Sequence, residues 1–386
     1  MIRSIGVVTT SRADYGHYLP VLRAIEADPD LELHLIVTGM HLSPAFGMTV
    51  KTIEADGFSI EERIEVMLSS DTPAGIGKTM GMGVSAFAQL FSRFHPDMLM
   101  VLGDRFEMAA APLAALPYKI PVAHLHGGEV TQGAIDDSLR HTITKLSHLH
   151  FVATDVYAKR VIQLGEEPWR VTVSGAPGLD NLKNIDLLDR TALSDELGLS
   201  LDAAPLLITY HPVTLEYENT DYQIDELLAA LDSAGMPVIF TLPNADTAGQ
   251  VILKKIKEYT LTHADTYMRD NLGTERYFSL MACAAAMVGN SSSGLIEAAS
   301  FRLPVVNIGT RQTGRVHPAN VIDTGYSRDE ILRAIQQAVS ADFRATLVNL
   351  VNPYGDGHAA ERIINRLKNI TLDDKLITKA FYDIDY

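Results

Sequence analysis

A run of serines between two glycines is the first stretch of this sequence whose residue types suggest chemistry. The segment GNSSSG (289–294) lies between an apolar run and a helical pattern, and Glu297 follows one turn later. Free backbone N–H groups at a helix start, with serine hydroxyls, can bind phosphate oxygens, and the carboxylate could accept both ribose hydroxyls. The alternative is an ordinary capped helix, with one serine as N-cap and Glu297 supporting the first turn.

Two basic loop segments suggest where an anion would be bound. GTRQTGR (309–315) follows the next apolar run and contains Arg311, and SRADYG (11–16) follows the first and contains Arg12. Arg311 favours a diphosphate ligand at the serine segment over a plain helix cap. Arginines scattered over the surface are the alternative interpretation.

The first half of the chain supplies acidic and imidazole side chains after its apolar runs. They are candidates for acid and base catalysis because burial and mutual repulsion can spread the pKa values of neighbouring carboxylates. Structural alternatives are helix capping by the two adjacent aspartates, an ion pair of Asp104 with Arg105, and, less favoured, a metal site at His124, His126 and Glu129. The candidates are Asp104, His126, Glu129, Asp136, Asp137 and His41.

Each of these segments follows an apolar run of strand length, and helical patterns alternate with the runs. Such alternation predicts parallel sheets covered on both faces, whose ligands bind beyond the carboxyl ends of the strands. We therefore expect an α/β protein of two doubly wound, Rossmann-like domains facing a cleft. The predicted strands are residues 2–9, 31–37, 98–102, 121–125, 150–153, 171–173, 206–210, 237–242, 286–288 and 304–308, with helices near 15–27, 221–234, 247–258, 292–300, 328–341 and 358–369.

Three segments follow from this alternation. Residues 1–180 form the domain with the carboxylates, 181–357 the nucleotide-binding domain, and 358–386 a helix and tail that pack back towards the first. No Gly-x-Gly-x-x-Gly follows the first strand and no Gly-x-x-x-x-Gly-Lys-Ser/Thr occurs. A dinucleotide oxidoreductase and a P-loop nucleoside triphosphatase are therefore disfavoured.

Composition narrows the classes further. The 386 residues suit two domains, and 47 % hydrophobic with 21 % charged residues is typical of a soluble globular protein. A formal net charge of −16 argues against a nucleic-acid surface, and no apolar run is long enough to span a membrane. The single cysteine, Cys283, excludes an intramolecular disulfide and a cysteine metal site. With no signal-peptide layout at the N-terminus, we expect a cytoplasmic protein.

Taken together, the motifs resemble those of the hydrolysing UDP-N-acetylglucosamine 2-epimerases of sialic and legionaminic acid biosynthesis. The resemblance runs from the first strand to about Gly357. The matching segments are SRADYG, GMH (39–41), GDRFE, HLHGGEVTQGAIDDSLRHTITKLSH, YHP (210–212), NAD (244–246), GNSSSGLIE and GTRQTGR.

The resemblance implies a glycosyltransferase-B-like fold without transferase activity. The implied reaction converts UDP-N-acetylglucosamine and water to UDP and N-acetylmannosamine by way of 2-acetamidoglucal, without cofactor or metal. It implies a homodimer or homotetramer whose partner is the small-molecule UDP-sugar.

The resemblance also assigns residues. Arg12, His211, Asn244, Asp246, Asn271, Leu272, Ser291, Ser292, Glu297 and Arg311 would bind UDP, and His41 and Arg105 the sugar. Asp104, Asp136, Asp137, Asp180 and His211 would be catalytic. Many relatives have a catalytic glutamate at the position of His126, so either His126 is the acid or base, or Glu129 shares the role, or another carboxylate has taken it.

Three other functions stay open from the sequence. The same chemistry on UDP-2,4-diacetamido-2,4,6-trideoxyglucose, on the way to legionaminic acid, would differ only in contacts at C4 and C6 of the sugar. A glycosyltransferase of the same fold would need an acceptor groove, and the carboxylate-rich loops argue against it. A regulator that binds a nucleotide sugar without catalysis would not need Asp104 and Asp136.

Overall fold

The computed structural model describes residues 2–68, 72–131, 135–242, 249–269 and 272–384 of the chain. It divides into two compact units. The first contains the described residues of 1–130, 135–181 and 354–386, and the second is formed mainly by residues 182–353. In the described residues, none of the helices has the length and apolar character needed to cross a bilayer.

The first unit contains a parallel sheet of seven strands in the order β3-β2-β1-β4-β5-β6-β7. Its strands are β1 Arg3–Thr9, β2 Leu31–Thr38, β3 Ile60–Ile64, β4 Met98–Leu102, β5 Val122–Leu125, β6 Leu149–Val152 and β7 Val171–Val173. Its first helices are α1 Arg12–Ala27, α2 Val50–Ala55, α3 Pro73–Phe91, α4 Phe106–Ala115, α5 Ile135–Leu146 and α6 Asp155–Gln163. A capping box of Ser11 and Asp14 starts α1 directly after β1.

The second unit repeats this design with a parallel sheet of six strands in the order β10-β9-β8-β11-β12-β13. Its strands are β8 Leu206–Thr209, β9 Val238–Thr241, β10 Thr266–Arg269, β11 Ala286–Gly289, β12 Val305–Ile308 and β13 Val321–Thr324. Its helices are α7 Arg190–Leu197, α8 Thr220–Ala234, α9 Gly249–Thr262, α10 Gly273–Cys283, α11 Ser293–Ile296, α12 Arg328–Val339 and α13 Ala341–Thr346.

The last two helices, α14 Ala359–Asn369 and α15 Asp374–Ile377, belong to the first unit. Helix α14 packs on α1, and its Ile363 and Leu367 are fully buried in the same apolar cluster as Ile5 and Val7 of β1. Val8 of β1 lies in a second cluster with residues of α3 and α4. Apolar residues therefore cover both faces of the first sheet, as the continuous apolar strands predict.

Two features of the fold differ from the sequence expectations. Three edge strands, β3, β10 and β13, were not predicted, and each of them is only partly buried. The helix predicted over 292–300 is a single α-helical turn, Ser293–Ile296, followed by the 3₁₀ turn Ala298–Phe301. Neither Ser292 nor Glu297 makes a side-chain cap at these turns, so the capped-helix alternative is not what the structure shows.

Candidate active site

In the second unit, Asn290 ties together the loops that follow three neighbouring strands. Its side chain accepts a hydrogen bond from the backbone N–H of His211 at 2.7 Å and donates one to the His211 carbonyl at 2.8 Å. Its own carbonyl accepts bonds from Arg311 Nη1 at 3.0 Å and from Gln312 Nε2 at 2.7 Å. The loops after β8, β11 and β12 thus converge at Asn290, and these loops carry His211, Ser291 and Arg311.

The serine segment lies against β8 because Gly289 has no side chain. Gly289 has a φ of +140°, and a Cβ there would lie 2.0 Å from the carbonyl oxygen of Thr209. Ser291 and Ser292 are half-buried, and the Ser291 hydroxyl accepts a long bond of 3.4 Å from the N–H of Ser293. Since α11 is one turn long, its dipole contributes little, and an anion here would rely on hydroxyls, backbone N–H groups and Arg311.

Burial sets the protonation of two groups in this unit. It lowers the pKa of His211 to about 3, with a smaller contribution from the positive charge of Arg311. The imidazole is therefore neutral near pH 7. Burial also raises the pKa of Glu297 to about 7, although a hydrogen bond with Ser293 opposes it. The Oε2 atom of Glu297 has no hydrogen-bond partner within the described parts of the chain.

Three expected UDP ligands lie outside the described residues, namely Asn244, Asp246 and Asn271. Leu272, expected near the uracil, precedes α10 and is buried in an apolar cluster with Phe278.

In the first unit, Asp104 lies beyond the end of β4 and forms an ion pair with Arg140 of α5. The alternative ion pair with Arg105 is not what the structure shows. Arg105 instead contacts Glu107, with its Nη2 at 3.1 Å and its Nε at 3.2 Å from the two carboxylate oxygens. Arg140 has a second bond, from Nη1 to the carbonyl of His126 at 2.8 Å.

Asp136 and Asp137 lie in the first turn of α5, so a favourable interaction with the helix N-terminus accompanies any catalytic role. Burial and the nearby charge of Asp104 raise the pKa of Asp136, while Arg105 and Arg140 partly oppose the shift. Asp136 and Asp104 are thus an interacting pair, in which one carboxyl favours keeping its proton. Asp137 Oδ2 lies 3.7 Å from Nε2 of His141, which is on the same helix.

His126 and Glu129 form a buried pair at the carboxyl end of β5. His126 Nδ1 lies 2.6 Å from Glu129 Oε1, and both residues are buried. The ring of His17 lies beside His126, with 5.4 Å between centroids. The two candidates that the sequence left as alternatives are therefore one hydrogen-bonded unit.

Two expected sugar ligands have other contacts. His41 is fully buried, and its Nε2 and Nδ1 lie 3.0 and 2.8 Å from the hydroxyls of Thr9 and Thr49. Both ring nitrogens are engaged, so we assign His41 to supporting the loop after β1. Arg105 stays half-exposed beside Glu107. Arg12, the expected phosphate ligand, is the first residue of α1 and is exposed.

The side chain of Asp180, which was expected to be catalytic, lies beside the first turn of α14. Its Oδ1 accepts a bond from the N–H of Ala359 at 3.0 Å, and its Oδ2 accepts one from Ala360 at 2.7 Å. Because both carboxylate oxygens bind the free N–H groups of a helix start, Asp180 acts as a cap supplied from a distant part of the chain.

Sequence reasoning did not single out Asn290, Arg140 or His17 as site residues. Asn290 and Arg140 lie inside quoted motifs, but only the fold shows that they connect separate loops. His17 directly follows the motif SRADYG. Over the described ranges, no three His, Cys, Asp or Glu side chains are grouped so as to hold a metal ion.

Comparisons with known proteins show the family of this chain. Residues 23–368 match the family described as UDP-N-acetylglucosamine 2-epimerase. The chain is 41 % identical to the GDP/UDP-N,N'-diacetylbacillosamine 2-epimerase (hydrolyzing) of Campylobacter jejuni, over 99 % of each chain. It is 39 % identical to the UDP-N,N'-diacetylbacillosamine 2-epimerase (hydrolyzing) of Legionella pneumophila, over 98 % of this chain and 99 % of that one.

A solved structure extends the comparison to the fold. The UDP-GlcNAc 2-epimerase of Neisseria meningitidis, crystallised with UDP-GlcNAc, superposes with a TM-score of 0.81 over 94 % of this chain and 99 % of that chain. At 18 % sequence identity, this likeness shows a common fold of two parallel-sheet α/β domains.

Proposed function

Because this chain belongs to the UDP-N-acetylglucosamine 2-epimerase family, we propose that it is a hydrolysing UDP-sugar 2-epimerase. The observation that carries the proposal is its identity of 41 % and 39 %, over almost the whole chain, to two proteins named as hydrolysing 2-epimerases. The first unit supplies the acidic and imidazole groups that such a reaction needs, and the second supplies the groups for a diphosphate.

The reaction has to proceed by elimination, because the C2 proton of a sugar is not acidic. Once the bond between C1 and the UDP oxygen begins to break, C1 becomes electron-poor and the C2 proton can be removed. UDP leaves, and a 2-acetamidoglucal with a C1=C2 double bond is formed. Water then adds across the double bond and gives the free sugar with inverted C2. These steps need leaving-group stabilisation, a base and an acid.

We propose the following division of labour. Arg12, His211, Ser291, Ser292 and Arg311 stabilise the departing diphosphate, and Glu297 accepts the ribose hydroxyls, with Asn244, Asp246, Asn271 and Leu272 as further UDP ligands. Asp104 and Asp136 act on the sugar, together with His126 and Glu129. Asp137 is the alternative to Asp136 in acting on the sugar. Arg105 binds the sugar.

Two sugar nucleotides are candidate substrates. The names of the two relatives favour UDP-N,N'-diacetylbacillosamine, which is UDP-2,4-diacetamido-2,4,6-trideoxyglucose, and hence a place in legionaminic acid biosynthesis. UDP-N-acetylglucosamine, converted to N-acetylmannosamine on the way to sialic acid, is the second candidate, and the family description favours it. We also propose a cytoplasmic homodimer or homotetramer.

A competition experiment tests both the reaction and the substrate. Purified protein is given each nucleotide sugar separately, and then both together, while UDP release and the free sugars are followed by proton NMR. We expect UDP and a C2-inverted free sugar, with the higher kcat/KM for the diacetamido substrate. A higher kcat/KM for UDP-N-acetylglucosamine would reverse the substrate order, and no UDP release from either would contradict the proposed function.

A further inference from the structure

We infer that His126 removes the C2 proton through its Nε2 atom, and that Glu129 is the positioning residue that holds the proton of the neutral imidazole on Nδ1. The inference rests on the proposed function and adds the atom that carries out its first proton transfer. Three features of the molecule support it: the hydrogen bond at Nδ1, the surroundings of Nε2 and the backbone at residue 126.

Glu129 determines the tautomer of His126. Its Oε1 lies 2.6 Å from His126 Nδ1, and an ionised carboxylate can only accept a hydrogen bond. Nδ1 therefore carries the proton and Nε2 carries the lone pair. After Nε2 accepts a proton, the same carboxylate stabilises the imidazolium, as in a Ser-His-Asp triad.

The surroundings of Nε2 leave that lone pair for a ligand. The residue is 7 % exposed, and Nε2 has no hydrogen-bond partner in the ranges that the structure describes. A buried polar atom in this state is destabilising unless the site gains something from it. By contrast, His124, two residues earlier, has both ring nitrogens within hydrogen-bond distance, at Gly103 and Thr144.

The backbone at His126 is held in a conformation that non-glycine residues rarely adopt. Its φ is +62°, in the left-handed region. The His126 N–H donates to the Phe151 carbonyl at 3.0 Å, and the His126 carbonyl accepts from Arg140 at 2.8 Å. The fold thus holds the ring against Glu129 at an energetic cost, which is typical of functional positions.

Inversion at C2 requires two proton-transfer groups, because the proton leaves one face of the sugar and the new one arrives on the other. The first unit has two such groups, His126 and the pair of Asp104 and Asp136, and the guanidinium of Arg140 contacts both. Arg140 forms an ion pair with Asp104, whose neighbour is Asp136, and also bonds the carbonyl of His126. The aspartate pair is therefore the second centre, and it supplies the proton for hydration.

Elimination and hydration together consume one water molecule and need no other reactant. Nε2 takes the C2 proton, the C–H electron pair becomes the C1=C2 bond, and UDP leaves with the electron pair of the C1–O bond. Water then bonds to C1 while the aspartate pair gives a proton to C2 on the opposite face. The proton that water loses returns to the pair, and the proton on His126 passes to solvent.

His126→Asn isolates the role of Nε2. Asparagine tolerates positive φ and its amide can still donate to Glu129, so the change removes mainly the basic atom. We expect UDP release from the nucleotide sugar to fall by a factor on the order of 10²–10⁴. Hydration of 2-acetamidoglucal supplied together with UDP should be retained, because the aspartate pair carries out that step.

Glu129→Gln tests the positioning role. A glutamine amide can donate to Nδ1, which would move the ring proton to Nε2. We expect kcat to fall at least about a hundredfold with KM nearly unchanged. Glu61→Gln is the matched control, because Glu61 Oε2 lies 2.9 Å from His34 Nδ1 on the exposed edge of the sheet, and its kinetics should stay those of the wild type.

Nitrogen-15 NMR of histidine-labelled protein gives a readout that needs no turnover, and its measurement on the wild type needs no variant. The wild type should show His126 with protonated Nδ1 and bare Nε2, and Glu129→Gln should exchange the two signals. A protonated Nε2 in the wild type, or wild-type kcat in His126→Asn, would overturn the inference alone. A wild type that turns over neither sugar nucleotide would overturn the proposed function and this inference with it.

Discussion

At the scale of single residues, Asn290 shows how one buried amide can organise a binding site. Four of its hydrogen bonds hold the backbone of His211 and the side chains of Arg311 and Gln312. The two made by its side chain are the part that a substitution removes. The residue is fully buried, so lost bonds cannot be replaced by solvent.

We therefore predict that Asn290→Ala weakens UDP binding. Leaving the N–H and carbonyl of His211 unpaired costs about 2 kcal/mol, or about thirtyfold in Kd if the loss falls on the bound state. Isothermal titration with UDP measures the change. Asn320→Ala is the control, because Asn320 is also buried and bonds a backbone carbonyl, that of Leu303, but precedes its strand. Equal loss of affinity in both variants would contradict a specific role.

The raised pKa of Glu297 leads to a prediction of how UDP affinity depends on pH. Burial raises its pKa to about 7, and the ionised carboxylate accepts hydrogen bonds from both ribose hydroxyls better than the protonated form, in which one oxygen carries a proton. Bound UDP then lowers this pKa, so affinity should rise as pH increases through about 7. Titrations between pH 6 and 8 test this, with Glu297→Gln as the baseline because UDP itself titrates nearby. The same pH slope in both proteins would rule out this role for Glu297.

Asp104→Asn should separate chemistry from nucleotide binding. Asp104 forms an ion pair with Arg140 in the first unit, whereas most proposed UDP ligands lie in the second. We predict that kcat falls by a factor on the order of 10²–10⁴ while UDP affinity changes only modestly. Steady-state kinetics and UDP titration measure the two effects. Turnover at the wild-type rate would remove Asp104 from the mechanism.

Sequence motifs mark candidate site residues, but they do not show which residues those side chains contact. Asp104 and Arg105 are adjacent, yet Arg105 pairs with Glu107 and Asp104 with Arg140, thirty-six positions away. Which acidic side chain an arginine meets depends on how α5 packs against α4 and β5, and no pattern in one sequence encodes that.

At the scale of elements, burial separates the strands that could be predicted from those that could not. Central strands such as β4 and β8 are buried along their whole length and appear in the sequence as continuous apolar runs. Edge strands β3 (IEERI) and β10 (TYMR) face solvent and contain charged residues. Sheet pairing with one neighbour orders them, and periodicity does not reveal that.

The cap on α14 gives a prediction at this scale. Since Asp180 accepts the N–H groups of Ala359 and Ala360, Asp180→Ala should lower the free energy of unfolding by about 1 to 2 kcal/mol and reduce hydrogen-exchange protection of α14. Asp189→Ala is a comparison, because Asp189 caps α7 through a bond to Ala192 only three residues away. If Asp180→Ala instead lost turnover while its free energy of unfolding stayed unchanged, a catalytic role for Asp180 would be supported.

At the scale of the whole molecule, the two units share one arrangement. Strand order reverses beside β1 in the first sheet and beside β8 in the second, and ligands of doubly wound sheets bind at such points. This rule explains why the sequence could place candidate residues in the loops after β1 and β4 of the first unit, and in those after β8 and β11 of the second. The identity of the substrate's sugar could not be predicted from the sequence, because the contacts to its C4 and C6 depend on side chains that no motif marks.

The central claim is that this protein breaks the bond to UDP by elimination and then hydrates the double bond. Incubation with the preferred nucleotide sugar in deuterated water, read by proton NMR, tests it most directly. We predict UDP and a free sugar with inverted C2 that carries deuterium at that carbon. A free sugar that keeps hydrogen at C2, or one whose C2 configuration is unchanged, would contradict elimination followed by hydration.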